Sequence, residues 1–194
     1  MNTSIILCGV GGQGTVLASK LIAASAMARG IPVMSAETIG MAQKGGSVSS
    51  HIRLGEGLFI PMVPLGGADL LIGFEPAEAV RMLPYLASDG AVVVNQAPVK
   101  PVSAVLSGSS YEGPEMIAFL KRRAANVTVV DCSAACREIG SPKVANMVLL
   151  GAAVATGRLP VALGDIKAAL ASRTNPKFLD LNLKALEYAG AALK

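Results

Sequence analysis

The sequence predicts an α/β fold: a Rossmann-like, mostly parallel sheet covered by helices, with an inserted β-hairpin and C-terminal helices. Three observations predict it. A short apolar run at residues 4–9 (SIILCG) passes through a glycine-rich turn into helix formers at 15–29 (TVLASKLIAASAMAR). Apolar runs of strand length then alternate with helical patterns along the chain. From Pro142 onward only helical patterns occur.

Each element has its own signal. Residues 4–9 are apolar without alternation, as in a strand buried on both faces of a parallel sheet. The helix from Thr15 is apolar almost all round and meets Gly30 where a C-cap belongs. Residues 31–36 read as a second strand, with Pro32 at its start, where a missing donor is tolerated. A second crossover helix belongs next, but 37–46 (ETIGMAQKGG) carries three glycines and no helical period. Residues 47–54 (SVSSHIRL) alternate Val48, Ser50, Ile52 and Leu54, then comes Gly-Glu-Gly at 55–57 and an apolar run at 58–63 (LFIPMV). That pattern predicts a β-hairpin with arms 47–54 and 58–63. Residues 69–74 predict a central strand, and Glu75-Pro76 starts a helix through about Leu86. The next strand is 91–95, and Ser88-Asp89-Gly90 before it reads as a plain turn. A Pro, Ser and Gly-rich connection follows over 96–113, with one short strand around 102–106. The remaining expectations are a helix at 114–125, a strand at 127–131, a short helix to about Glu138, and helices at 142–156, 164–172 and 176–192. The length of 194 residues fits one domain over 1–194, its helical part starting at about 142.

Composition narrows the function classes. Hydrophobic residues make up 52% of the chain and charged ones 15%, which favours burial of surface against partners. An Ala-rich and Gly-rich core is the alternative reading, because Ala also occupies exposed helix positions. No apolar run reaches the roughly 18–20 residues of a membrane span, and MNTSIILCGVGG lacks a signal peptide's basic region and cleavage site, so a cytoplasmic location is expected. Cys8, Cys132 and Cys136 are too few for a disulfide framework and too widely spaced for a metal site. The net charge of +4 comes from scattered Lys and Arg without interleaved aromatics, which argues against nucleic acid and leaves a groove for an anionic ligand open.

The turn CGVGGQGT matches GxGxxG at Gly9, Gly11 and Gly14. Gly9 suits a tight strand-to-helix reversal, Gly11 a close ligand approach, Gly14 a close helix–sheet contact, and the free N–H groups at the helix start attract phosphate. Glu37, 23 residues after Gly14, stands near the place of a ribose ligand, so a free-standing NAD(P)-dependent dehydrogenase is one reading. Against it, the helix after the ribose acid is missing, His51 is the single histidine with no evident acid–base partner, and Gln13 and Thr15 serve no need of NAD. A CoA or nucleotide-binding module is another reading, and a glycine turn that only packs helix on sheet is a third.

The pair CGVGGQGTVLASKLIAASA and AETIGMAQKGGSVSSHIRLGE is more specific than either half. Together they resemble the gamma-type subunit or domain of the 2-oxoacid:ferredoxin (acceptor) oxidoreductases, whose pattern is a GxGGQG loop followed by a Q-basic-GG-S loop and a hairpin. The segments ADLLIGFEPAEAVRMLPYL, GAVVVNQAPVKP and KVANMVLLGAAVATGRLP look most like the small beta subunit of the indolepyruvate-type enzymes. The resemblance spans residues 4 to about 190. It implies an accessory, noncatalytic subunit of an enzyme that oxidatively decarboxylates an aryl 2-oxoacid to acyl-CoA. Thiamine diphosphate, magnesium and [4Fe-4S] clusters would sit in a large catalytic partner, with CoA as co-substrate and ferredoxin reached through the complex. This chain alone would hold no cofactor; a homodimer of the isolated chain is left open.

The residues agree with an accessory role, since clusters take closely spaced cysteines and the chain has none. The candidate binding residues are Gly9, Gly11, Gly12, Gln13, Gly14 and Thr15 in the first loop, and Gln43, Lys44, Gly45, Gly46 and Ser47 in the second. They form either a polar lip facing the partner's active site or the CoA phosphates, or a tight turn at the subunit interface. Family members commonly carry Arg where this chain has Lys44, which keeps the charge without the two-pronged hydrogen bonding. His51 and Arg53 share a strand face with Ser47 and Ser49, read as solvated or as lining the subunit contact. Asn146 reads as a buried polar group bonded to backbone, and Glu37 as a cap or loop anchor.

Overall fold

A computed structural model describes residues 2–39, 45–99 and 111–192. Six strands, β1 (Thr3–Val10), β2 (Val33–Ile39), β3 (Ser47–Leu54), β4 (Ala68–Gly73), β5 (Leu86–Asn95) and β6 (Asn126–Val130), form one sheet in the order β2-β3-β1-β4-β5-β6. Pairings β1–β4, β4–β5 and β5–β6 are parallel. Only β3 runs against its neighbours, antiparallel to both β1 and β2. The sheet is therefore mostly parallel, as the sequence predicts.

The helices are α1 (Thr15–Ala28), α2 (Pro76–Met82), α3 (Gly113–Arg123), α4 (Cys132–Ile139), α5 (Ala145–Ala155), α6 (Leu163–Ala171) and α7 (Pro176–Ala192). Side chains of α1, α4, α5, α6 and α7 join Ile5, Leu7, Leu70 and Ile72 in one core. Those of α2 and α3 join Ile6, Cys8, Leu71 and Val92 on the opposite face. This two-sided cover explains the unbroken apolar run of β1, where Ile5, Ile6, Leu7 and Cys8 are all fully buried. Each such aliphatic side chain contributes about 1.5–3 kcal/mol.

The expected hairpin of 47–54 with 58–63 does not form. β3 pairs with β1 on one edge and β2 on the other, so neither edge is left for 58–63. Pro61 and Pro64 also lack the N–H a ladder needs. The 58–63 segment has no strand structure. β3 instead pairs antiparallel with both β1 and β2, and the second strand reaches Ile39 rather than Ala36. The expected strand at 102–106 lies outside the described residues.

Three further boundaries shift. The helix at Glu75-Pro76 ends at Met82 and closes in a 3-10 turn, Leu83–Tyr85. Ser88-Asp89-Gly90 falls inside β5, yet Ala68 pairs with Leu86 and Leu70 with Ala91, so the strand bulges where a turn is expected. The helix expected at 142–156 opens as a 3-10 turn, Pro142–Val144, before α5 begins.

His51 and Ser49 are buried, so the solvated reading of that face does not hold, and the 58–63 segment packs against His51 and Arg53. Val63 N–H donates to His51 Nδ1 at 3.2 Å, and Arg53 Nη1 donates to the Ile60 carbonyl at 3.2 Å. The His51 ring meets Tyr85 edge-on, with centroids 5.5 Å apart. Burial pushes the imidazole pKa below its ordinary value of 6.5. The unfolded chain then binds the proton more tightly than the folded one, so this contribution is complete above 6.5 and is lost as pH falls below it. Protonation would also turn Nδ1 into a donor facing an N–H. Thermal unfolding is expected to drop in midpoint below pH 6.5, and His51→Asn, which keeps an acceptor at that place, should flatten the drop; equal slopes in both proteins would contradict the assignment.

Candidate functional site

The chain leaves β1 for α1 on one face of the sheet and leaves β4 for α2 on the other. In open α/β sheets the crevice beyond the strand ends at such a reversal is the usual ligand position. The first glycine loop and Gly45–Ser47 of the second lie at this edge. Gly11 N–H donates to the Gly46 carbonyl at 2.8 Å, and Gly45 N–H to the Gly11 carbonyl at 3.4 Å. The backbone thus joins Gly11 with Gly45 and Gly46. Gln43 and Lys44 lie outside the described residues.

Gln13 turns inward. Its Oε1 accepts from Val10 N–H at 2.8 Å and its Nε2 donates to the Phe74 carbonyl at 3.1 Å, stapling the loop to the end of β4. Gly9 makes room for this side chain, since a Cβ there would stand 2.6 Å from Gln13 Oε1 and 2.8 Å from Phe74 Cβ. Gly14 caps α1 with φ +81°, and a Cβ on it would run into the Asn146 amide. Gly12 sits at the tip with φ +100° and has nothing within 4 Å of a built Cβ. Thr15 opens α1 at 3% exposure, and its Oγ1 is buried without a hydrogen-bond partner among the described residues. Among the described residues no side chain caps α1, which leaves its first N–H groups to an anion.

Several residues that sequence reasoning missed meet here. The Phe74 carbonyl also accepts from Asn95 Nδ2 at 3.3 Å, tying the ends of β4 and β5 to the first loop. Glu75, 2% exposed, accepts from Glu78 N–H at 3.0 Å, from Val99 N–H at 3.3 Å and from the Tyr111 hydroxyl. Burial and this carboxylate push the Tyr111 pKa well above its usual range. Ser47 Oγ donates to Glu78 Oε2 at 2.7 Å and meets Arg81 Nη2. Glu37 accepts from Ser19 Oγ at 3.1 Å, so it anchors β2 to α1. Asn146 is buried, with Oδ1 accepting from Met147 N–H at 3.0 Å. The Glu75-Pro76 cap signal was legible as a helix start, but no local pattern announces the convergence on it.

Three adjoining cavities follow the same edge. One of about 210 Å³ is lined by Gly12, Gln13, Asn95, Cys132, Lys143 and Asn146. A second of about 460 Å³ shares Asn95 and Cys132 and adds Arg137. A third of about 670 Å³ shares Ser133 and Arg137 with the second and adds Lys121. Lys143, Arg137 and Lys121 outnumber Asp131 in this lining, a balance that suits an anion. The thiols are poor nucleophiles: burial raises Cys132 to about 12 and Cys8 further. Among the described residues no three His, Cys, Asp or Glu side chains gather as a metal site, and no helix is long and apolar enough to cross a membrane.

Residues 4–192 match the family model described as pyruvate ferredoxin/flavodoxin oxidoreductase. The chain is 37% identical over 188 residues to the indolepyruvate oxidoreductase subunit IorB of Archaeoglobus fulgidus, covering 96% of this chain and 93% of that protein. Its fold is similar to that of pyruvate oxidoreductase subunit PORC from Thermotoga maritima, with TM-score 0.69, 24% identity and 98% and 96% of the two chains covered. It also matches 32% of the chain of the 2-oxoglutarate:ferredoxin oxidoreductase from Magnetococcus marinus, over 100% of its own length, with TM-score 0.74 and 21% identity.

Proposed function

This chain belongs to the pyruvate ferredoxin/flavodoxin oxidoreductase family, and from that premise we propose that it is the noncatalytic, accessory subunit of an indolepyruvate-type 2-oxoacid:ferredoxin oxidoreductase. The complex oxidatively decarboxylates an aryl 2-oxoacid to its acyl-CoA and passes the electrons to ferredoxin. The observation that carries this reading is the correspondence of the whole chain with a whole indolepyruvate oxidoreductase subunit.

Thiamine diphosphate, magnesium and the [4Fe-4S] clusters belong to the large partner subunit. The residues present do not fit a cluster: Cys8 faces one core, while Cys132 and Cys136 face the other. No electron-transfer step is therefore assigned to this chain. Its work is at the edge of the sheet, where the joined glycine loops meet the partner and the CoA phosphates. Lys143, together with the start of α1 and the Thr15 hydroxyl, neither of which meets a side-chain partner among the described residues, supports an anion there.

A subunit of this kind needs apolar contact surface. The segment after β3 supplies it: Phe59 is 91% and Leu65 71% exposed, while buried Val63, held by His51, fixes the segment beneath them. A free-standing dehydrogenase is poorly supported. Glu37 is engaged with Ser19, and His51 is buried and packs against residues 58–63. NADH titrated into the isolated chain should leave its fluorescence flat. Co-expression with the thiamine-binding partner, followed by assay of CoA-dependent ferredoxin reduction with indolepyruvate and smaller 2-oxoacids, tests the proposal; full activity without this chain would overturn it.

A further inference from the structure

The carboxylate of Glu78, in the first turn of α2, has a side chain only 15% exposed. Its Oε2 accepts from Ser47 Oγ at 2.7 Å and from Arg81 Nε at 3.0 Å. Arg81 Nη2 reaches both that carboxylate and the same hydroxyl. Ser47 is the first residue of β3 and directly follows Gly46, whose carbonyl accepts from Gly11. The exit of the second glycine loop is thus gripped from two sides: the first loop through backbone, and α2 through a charged triad.

We propose that Glu78 and Arg81 are positioning residues that latch the exit of the second glycine loop, Gly45 to Ser47, onto α2 and so set the polar edge that CoA and the catalytic partner meet. This rests on the accessory-subunit reading above. The site is well placed for the task. Glu78 N–H donates to Glu75, which also accepts from Val99 N–H and Tyr111, so the first turn of α2 is itself tied to other segments of the edge. Glu78 lies where a helix N-terminus favours negative charge, and Arg81 three residues on completes the pair. A fully exposed ion pair would contribute little to stability. Here one partner is largely buried and its acceptor capacity goes to a loop residue, so the main effect of removing it falls on the loop rather than on the helix.

Glu78→Ala, Glu78→Gln and Arg81→Lys are compared in the full complex by hydrogen exchange and by steady-state kinetics. In Glu78→Ala, amides 45–50 should exchange faster by about tenfold or more while the amides of β5 are unchanged. The KM for CoA should rise about fivefold or more with kcat within about twofold. Glu78→Gln keeps an oxygen for Ser47 and should recover most of both effects, and Arg81→Lys should sit between. Unchanged exchange at 45–50 in Glu78→Ala would overturn the latch, and faster exchange with an unchanged KM would overturn the positioning role. Should Glu78→Ala fail to fold, Glu78→Gln combined with Ser47→Ala removes the same hydrogen bond and is read in the same way. A complex that is fully active without this chain would remove the functional reading, and the exchange comparison on the chain would still decide the latch.

Discussion

Replacing Gly151 with valine is expected to destabilise the chain more than any other single change considered. α5 is buried between the sheet and α7, with residues 146–153 all buried. A Cβ on Gly151 would fall on the carbonyl oxygen of Leu186, a backbone atom of α7 that cannot rotate away. The two helices would have to separate, opening the packing around Leu186 and Ala189. Overpacking of this kind costs about 1–3 kcal/mol, and valine in a helix adds several tenths more. A loss of about 3 kcal/mol should lower the melting temperature by roughly 6–12 °C for a chain of this size. Gly164→Ala in α6 is the control: its Cβ meets nothing within 4 Å and its φ is ordinary, so a gain of about 0.4–1 kcal/mol is expected. Equal melting temperatures for Gly151→Val and the parent would refute the close crossing.

The second large effect is functional. Gly12 holds φ +100° with open space around a built Cβ, so alanine there carries a backbone cost of about 1–2 kcal/mol and aspartate a somewhat smaller one. The two variants differ in one carboxylate, placed beside the uncapped start of α1. A negative charge near a helix N-terminus is stabilising, so aspartate should fold at least as well as alanine. If the edge receives CoA phosphates, Gly12→Asp should raise the KM for CoA about tenfold or more over Gly12→Ala, with assembly and kcat preserved. Equal Michaelis constants would remove the anion and leave the loop a packing device at the interface.

The β1–turn–α1 unit was legible because everything it needs is local: an apolar run, glycines at set positions and a helical stretch. The placement of β3 was not. Its alternation announces a strand, but that β1 and β2 occupy both of its edges is a long-range fact, and 58–63 looks like a partner until those edges are counted. The candidate site was half legible in the same sense. Gly9 and Gln13 stood out as motif positions, yet their side-by-side fit, with Gln13 spent on Val10 and Phe74 rather than on a ligand, depends on where β4 ends. Glu75, Glu78 and Arg81 belong to an ordinary capped helix when read alone. They become part of the edge only because Ser47 and Tyr111 arrive there from elsewhere in the chain.

On the proposed reading, a catalytic partner requires this chain, which holds no redox centre of its own. The most direct measurement is add-back: the thiamine- and cluster-bearing subunit is purified alone, and CoA-dependent ferredoxin reduction is followed as this chain is titrated in. Activity should be low at the start and rise to saturation at a fixed stoichiometry, with no iron or thiamine carried by this chain. Full activity of the partner alone, or redox-active iron bound to this chain, would contradict it.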